Sequence, residues 1–148
     1  MCIITNVTGD SSFKDVIHSI DLCCFKEESW SKELIEKELS KSETHYLLCS
    51  SENQYVAYLS FSSILGDVNL DRIAVLPEFQ GRGVGYKFMN EFINLVKKQG
   101  NNSVFLEVRS GNESALNLYK KCNFKIDCIR KKYYQNPSEN AVLMSLKL

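Results

Sequence analysis

The chain has only two prolines, one tryptophan and two histidines among its 148 residues, and its 18 basic and 18 acidic side chains cancel to zero net charge. With Pro77 and Pro137 far apart and no Pro-, Gly- or Ser-rich stretch, nothing resembles a linker. One domain over residues 1–148 is therefore expected. The balanced charge excludes a global electrostatic footprint for nucleic acid. No run approaches the ~18–20 apolar residues of a membrane helix. The start, Met1 to Asn6, lacks the basic region and apolar run of an export signal, so a cytoplasmic location is the expectation. There is no Cys-x-x-Cys pair, and His18 and His45 are the only imidazoles, so no metal site is expected. Cys2, Cys23, Cys24, Cys49, Cys122 and Cys128 read as free thiols that pack as small hydrophobes.

What is present is an ordered succession of short elements. A strand within Met1–Val7 precedes a helix capped by Ser11 or Ser12, with Phe13, Val16, Ile17, Ile20 and Cys24 on its apolar stripe. Ser31 caps a second helix that buries Leu34, Ile35 and Leu39. Tyr46–Cys49, Val56–Phe61 and Val68–Val75 form three β-runs separated by turns at Asn53 and Gly66-Asp67, as in an antiparallel meander. From there the order is loop, helix around Val84–Lys98 stopped by Gly100, strand Ser103–Val108, helix around Glu113–Lys121, and a final strand pair, Phe124–Ile129 with Ala141–Leu146. The class is α/β with a mixed sheet.

The strongest local signal is Gln80-Gly81-Arg82-Gly83-Val84-Gly85, between the apolar strand Ile73-Ala74-Val75 and an amphipathic helix. Glycines allow positive φ and close ligand approach. The helix start adds free N–H groups and partial positive charge. Together they suit a phosphate or pyrophosphate, with Arg82 as a charged contact. A P-loop is excluded because no Gly-Lys-Ser/Thr follows. Glu107 stands 22 residues after Gly85, as an acidic residue does in a dinucleotide fold, but a meander precedes this loop rather than a βαβ start.

Further along, Val104, Leu106 and Val108 share one strand face while Phe105 and Glu107 share the other. A carboxylate so placed is either a solvated strand end, paired with Arg109, or a catalytic base. Tyr119 lies on the apolar stripe of its helix as a core aromatic or a proton donor. Asn112 is a helix N-cap or a ligand contact.

The segments Ile73-Ala74-Val75, Pro77, Phe79 and Gln80–Gly85, with Leu106-Glu107-Val108-Arg109, Asn112…Ala115-Leu116-Asn117-Leu118-Tyr119 and Arg130-Lys131-Lys132-Tyr133-Tyr134, resemble the Gcn5-related N-acetyltransferase (GNAT) superfamily. Within it they are similar to the ribosomal-protein-alanine N-acetyltransferase (RimI) subfamily. The resemblance implies about seven mostly antiparallel strands flanked by about four helices. It implies acetyl-CoA as donor, with Ile73, Ala74 and Val75 along the pantetheine, Gly81, Arg82, Gly83, Val84, Gly85 and Tyr86 at the pyrophosphate, and Asn112 as a further contact. It also implies a backbone N–H near Val75 for the oxyanion, Glu107 as general base and Tyr119 as general acid. Trp30, Tyr133 and Tyr134 would bind a protein N-terminus, alanine first, of a small-subunit ribosomal protein. Glu27 and Glu28 would attract a basic acceptor. The alternatives are a small-molecule amine or a lysine as acceptor, or a non-catalytic acyl-CoA-binding module. Two positions depart from the family pattern: Ser29-Trp30-Ser31 stands for Pro-Trp-Ser, and Asn123 stands for Gly before Phe124, where Asn tolerates the left-handed conformation.

Overall fold

Two tight turns shape the first half of the sheet. Glu52 and Asn53 have φ of 54° and 63°, and Leu65 and Gly66 have φ of 52° and 89°. Two successive positive φ values match the twist of paired strands. They join β2 (Thr44–Ser51) to β3 (Gln54–Ile64), and β3 to β4 (Asp67–Val75). The computed structural model describes residues 2–148. The remaining strands are β1 (Ile3–Asn6), β5 (Ser103–Arg109), β6 (Lys125–Tyr134) and β7 (Glu139–Lys147). All seven lie in one sheet of order β1-β2-β3-β4-β5-β7-β6, and only β4 and β5 pair in parallel. The helices are α1 (Lys14–Phe25), α2 (Lys32–Leu39), α3 (Val84–Lys98) and α4 (Glu113–Lys121). The first strand is shorter than the expected Met1–Val7, and Met1 lies outside the described residues.

Local chemistry sets the helix ends, with one correction. Asp10, not Ser11 or Ser12, caps the first helical turn, because its carboxylate accepts from both the amide and the hydroxyl of Ser12 at 3.0 and 2.6 Å. Ser31 caps α2 as expected, accepting from the Leu34 amide at 3.1 Å. Ile35 and Leu39 of that helix are buried, but Leu34 is 37% exposed, since it sits about a quarter turn off their i,i+4 stripe. Gly100, at φ 86°, ends α3 with its amide on Lys97 and that of Asn101 on Val96. Asn123, at φ 71°, ends α4 in the same way.

The sheet carries a core on each face. Val68, Leu70, Val104, Leu106 and Val108 pack with Phe88, Phe92 and Val96 of α3 and Tyr119 of α4. Tyr46, Leu48, Tyr58 and Ala74 pack with Ile17 and Ile20 of α1 and Ile35 and Leu39 of α2. Between β3 and β4 the register slips: Phe61 faces Leu70 and Ser60 faces Arg72, so Asp71 is an extra, unpaired residue. Beyond it the alternation inverts. Leu70 and Ile73 therefore both face α3, while Ala74 faces α1.

Candidate active site

The site begins where two parallel strands part. β4 and β5 pair only from Asp67–Asn69 to Ser103–Phe105. Past those residues β4 keeps β3 and β5 keeps β7, and a wedge opens between them. The Leu76 amide bonds the Val56 carbonyl at 2.8 Å. That makes Val56–Leu76 a hydrogen-bonded pair of the antiparallel ladder, so by alternation Ala57–Val75 and Leu59–Ile73 are not. The backbone groups of Ile73 and Val75 consequently point away from β3 into the wedge. Those of Ala74 point to β3, which narrows the expected Ile73–Val75 contact strip to its two outer residues. The Val75 carbonyl already accepts from Gln80 Nε2 at 2.8 Å and Cys24 Sγ at 3.2 Å. Burial pushes the Cys24 thiol up to about 11, so it stays protonated as a donor.

A cavity of about 750 Å³ fills the wedge. One end is the loop before α3. Gly81 and Gly83 have φ of 76° and 81°, and a Cβ at either would meet no atom within 4 Å. Their freedom is needed for backbone conformation rather than for space. The first helical bond of α3 runs from Lys87 to Gly83, leaving the amides of Val84, Gly85 and Tyr86 without an intrahelical acceptor. Lys121, its ammonium 4.3 Å from the Tyr86 ring, adds positive charge at this end. Free amides, a helix dipole and a cation make an anion cradle. Val84 contributes its amide while its side chain is buried. Arg82 points outward, 55% exposed, and among the described residues it meets only Glu52 at 3.7 Å and the Phe79 ring.

Toward the other end Glu107 and Tyr119 both line the cavity. Phe105 and Glu107 lie on the face opposite Val104, Leu106 and Val108, as expected. Glu107 is partly exposed and its nearest cation is Arg130 at 4.0 Å, not Arg109. Tyr119 is 7% exposed and burial pushes its phenol up, so it stays protonated at any physiological pH. Asn112 both caps α4, accepting from the Ala115 amide at 3.2 Å, and lines the cavity.

Arg109 also lines the cavity. It meets Glu28 at 3.1 Å, Glu139 at 3.2 Å and the Tyr134 ring at 4.3 Å. Glu28 is thereby paired, leaving Glu27 alone of the two acids expected to draw a basic acceptor. Tyr134 lines the cavity, and its phenol is raised by burial and by the Glu107 charge. Tyr133 packs edge-on against Tyr134 but is 45% exposed and away from the cavity wall. Trp30 faces a second cavity instead.

Three side chains, Asp21, His18 and Arg72, anchor the segment carrying Trp30. Asp21, fully buried, accepts from the Trp30 amide at 2.6 Å, Tyr58 Oη at 2.6 Å and Arg72 Nη1 at 2.9 Å. His18 Nδ1 lies 3.0 Å from the Trp30 carbonyl, which can only accept, so that nitrogen carries the proton. The Arg72 guanidinium stacks on both Phe25 and Trp30, at 4.0 and 4.1 Å from the ring centres. Sequence reasoning gave no role to Asp21, Arg72 or Lys121, and named Gln80 only as part of the glycine motif and Arg109 only as a partner of Glu107 and part of a family-like segment. An Asp at a core position of α1 was the one available signal.

The profile of the Acetyltransferase (GNAT) family matches residues 14–124. The chain belongs to the GNAT acetyltransferase family. It is 39% identical over 99 residues to the ribosomal protein bS18-alanine N-acetyltransferase of Haemophilus influenzae, covering 65% of this chain and 67% of that one. The crystal structure of the ribosomal-protein-S18-alanine N-acetyltransferase from Escherichia coli superimposes with a TM-score of 0.90 at 23% identity, over 99% of this chain and 94% of that one. A GNAT acetyltransferase from Elizabethkingia anophelis, solved with acetyl-CoA bound, superimposes at 0.79 with 21% identity, over 99% and 98% of the two chains. The GNAT fold thus accounts for the seven-stranded sheet and its four helices. No helix among the described residues is long and apolar enough to cross a membrane, and no group of three or more His, Cys, Asp or Glu there is arranged to hold a metal ion.

Proposed function

We propose that this GNAT chain takes an acetyl group from acetyl-CoA and places it on the N-terminal amine of a cytoplasmic protein, alanine first, with a ribosomal protein as acceptor. The observation that carries this reading is the wedge itself. Backbone edges of Ile73 and Val75 turned away from β3, an anion cradle at Gly81–Tyr86, a carboxylate and a protonated phenol line one cavity. Relatives named for bS18 acetylation support the acceptor.

Acetyl-CoA, when bound, supplies a thioester-activated acetyl group. In this reading the amides of Gly81 to Tyr86 hold the pyrophosphate, and Asn112 is a further contact. The backbone of Ile73 and Val75 lies along the pantetheine. Glu107 takes a proton from the acceptor amine, directly or through a water, as the nitrogen bonds to the acyl carbon. An α-amine, with a pKa of ~7.7–8.0, asks less of that carboxylate than a lysine at ~10.4. The Val75 amide donates to the oxygen that gains charge. Tyr119 gives its proton to the sulfur as the carbon–sulfur bond breaks. The Trp30 segment and Tyr134 flank the acceptor. Arg82 and Tyr133, which stand outside the cavity wall, have peripheral roles.

Peptides differing only in their first residue, incubated with enzyme and acetyl-CoA and read by mass spectrometry, test the reading. Alanine-first peptides should gain one acetyl at the terminus. Acetylation confined to lysine side chains or polyamines would replace it with a small-amine or lysine activity.

A further inference from the structure

The cavity on the far side of Trp30 belongs to no step described so far. It measures about 540 Å³ and lies between α2 and the strands β2, β3 and β4. Glu38, Glu43 and Asp71 line it with a single cation, Lys41. Lys41 is paired with Glu38 at 2.9 Å, and Thr44 Oγ1 meets the other oxygen of Glu38 at 3.3 Å. Among the described residues Glu43 accepts only from the hydroxyl of its neighbour Ser42, at 3.2 Å. Asp71, the extra residue of the β4 bulge, has no hydrogen bond or salt bridge among the described residues. Three carboxylates against one ammonium leave the cavity with an excess of negative charge.

Two residues of its wall also carry polar groups that the fold leaves idle. Tyr46 Oη and Ser60 Oγ are buried, with the residues 0% and 1% exposed, and neither has a hydrogen-bond partner among the described residues. Both residues line the cavity. Buried hydroxyls without partners are costly, and they are paired in nearly all proteins. Burial keeps the Tyr46 phenol protonated, so it can donate or accept. Apolar walls at Trp30 and Leu34 complete a pocket of the kind that receives an alkyl stem with a polar, charged tip. The carboxylates are not gathered into a group able to hold a metal ion among the described residues.

Asp71 lines this cavity and the wedge alike. Neighbouring strands lie about 5 Å apart, so two or three extended residues cover the width of β4 and β3. We propose that the second cavity is a subsite for the cationic side chain, arginine or lysine, of a residue near the start of the acceptor, with Asp71 and Glu43 as its carboxylates and Tyr46 and Ser60 as hydrogen-bond partners. This rests on the N-terminal acetylation reading for the identity of the ligand. It assigns the basic preference to the floor of β4 rather than to Glu27 and Glu28 at the loop.

Trp30 is the only tryptophan and lines the cavity, so its fluorescence reports occupancy without any chemistry. The probes are the peptides Ala-Arg-Ala and Ala-citrulline-Ala, which differ in charge but hardly in shape. Each is titrated without acetyl-CoA, then tested for acetylation with it. The arginine peptide should change Trp30 emission saturably at a concentration at least tenfold lower than the citrulline peptide, and Asp71→Asn with Glu43→Gln should erase that gap. Equal midpoints for the two peptides, no saturable change with either, or a gap that survives the double substitution overturns the subsite. A charge-dependent gap in binding with no acetylation of either peptide keeps the subsite and rejects the acetylation reading. Equal acetylation and equal binding do the reverse.

Discussion

Asp21 and Arg72 meet at 2.9 Å beneath the Trp30 segment, the carboxylate fully enclosed and the guanidinium side chain 16% exposed. The pair ties α1 to the bulged stretch of β4, and through the Trp30 amide it ties both to the loop that precedes α2. Removing one member of a buried ion pair strands the other, at a cost of about 3–5 kcal/mol. Asp21→Ala is therefore expected to lose that much in urea denaturation. Asp21→Leu combined with Arg72→Met should lose markedly less than the sum of the two single changes. Simple additivity would mean that the contact is not energetically coupled.

Glu107→Gln and Tyr119→Phe keep shape while removing the proposed base and the proposed acidic proton. Each should lower turnover by ~100-fold or more, the usual scale of acid–base contributions. Calorimetry should find acetyl-CoA affinity within about twofold of the parent in both, given the usual context-dependence of such contacts. Unchanged turnover in either variant would falsify its assigned role.

Gly83 and Gly9 share nearly the same backbone, φ 81° and 80°, and a Cβ meets nothing within 4 Å at either. Alanine in this conformation costs roughly 1–2 kcal/mol. Both Gly83→Ala and Gly9→Ala should therefore lower thermal stability. Only Gly83→Ala, at the anion cradle, should also weaken acetyl-CoA binding. Equal coenzyme affinity in the two variants would detach the loop from the pyrophosphate.

Burial, and then the charge of Glu38, push the Asp71 carboxyl up to about 6 from an ordinary 3.8. Between those values the folded chain holds more protons than the unfolded one, so this group's contribution falls as pH rises from about 4 to 6. Above that window the penalty is constant. Asp71→Asn should gain thermal stability relative to the parent across this range. The difference in Tm should widen between pH 4 and 6.5 and then level off. A difference independent of pH would show that Asp71 titrates normally.

Much of the fold was legible because its signals are short-range. The positive-φ turns at Asn53 and Gly66, the Ser31 cap and the Gly100 stop depend on a residue and its near neighbours. The Gly81–Gly83 loop and the opposed faces of β5 were readable for the same reason. The first-helix cap was misplaced by one or two residues because Asp10, Ser11 and Ser12 are all competent caps, and only geometry selects among them. Trp30 and Tyr133 were expected at the substrate face from sequence likeness. Trp30 lines the second cavity, where Arg72 and Asp21 hold it, and Tyr133 sits outside the wall of the wedge, positions that no local pattern could give.

The order of strands and helices, the glycine loop and the alternation that lifts Glu107 away from the core were properties of the chain alone, since periodicity and turn chemistry act over a few residues. Tertiary structure decided the rest. Whether β4 and β5 stay paired, which backbone groups of Ile73 and Val75 are left free, where the bulge drops Asp71, and which distant cation neutralises Asp21 or Glu28 all depend on partners brought together from far apart in sequence. Pairing and burial of that kind are set by packing across the whole sheet, which no local pattern encodes.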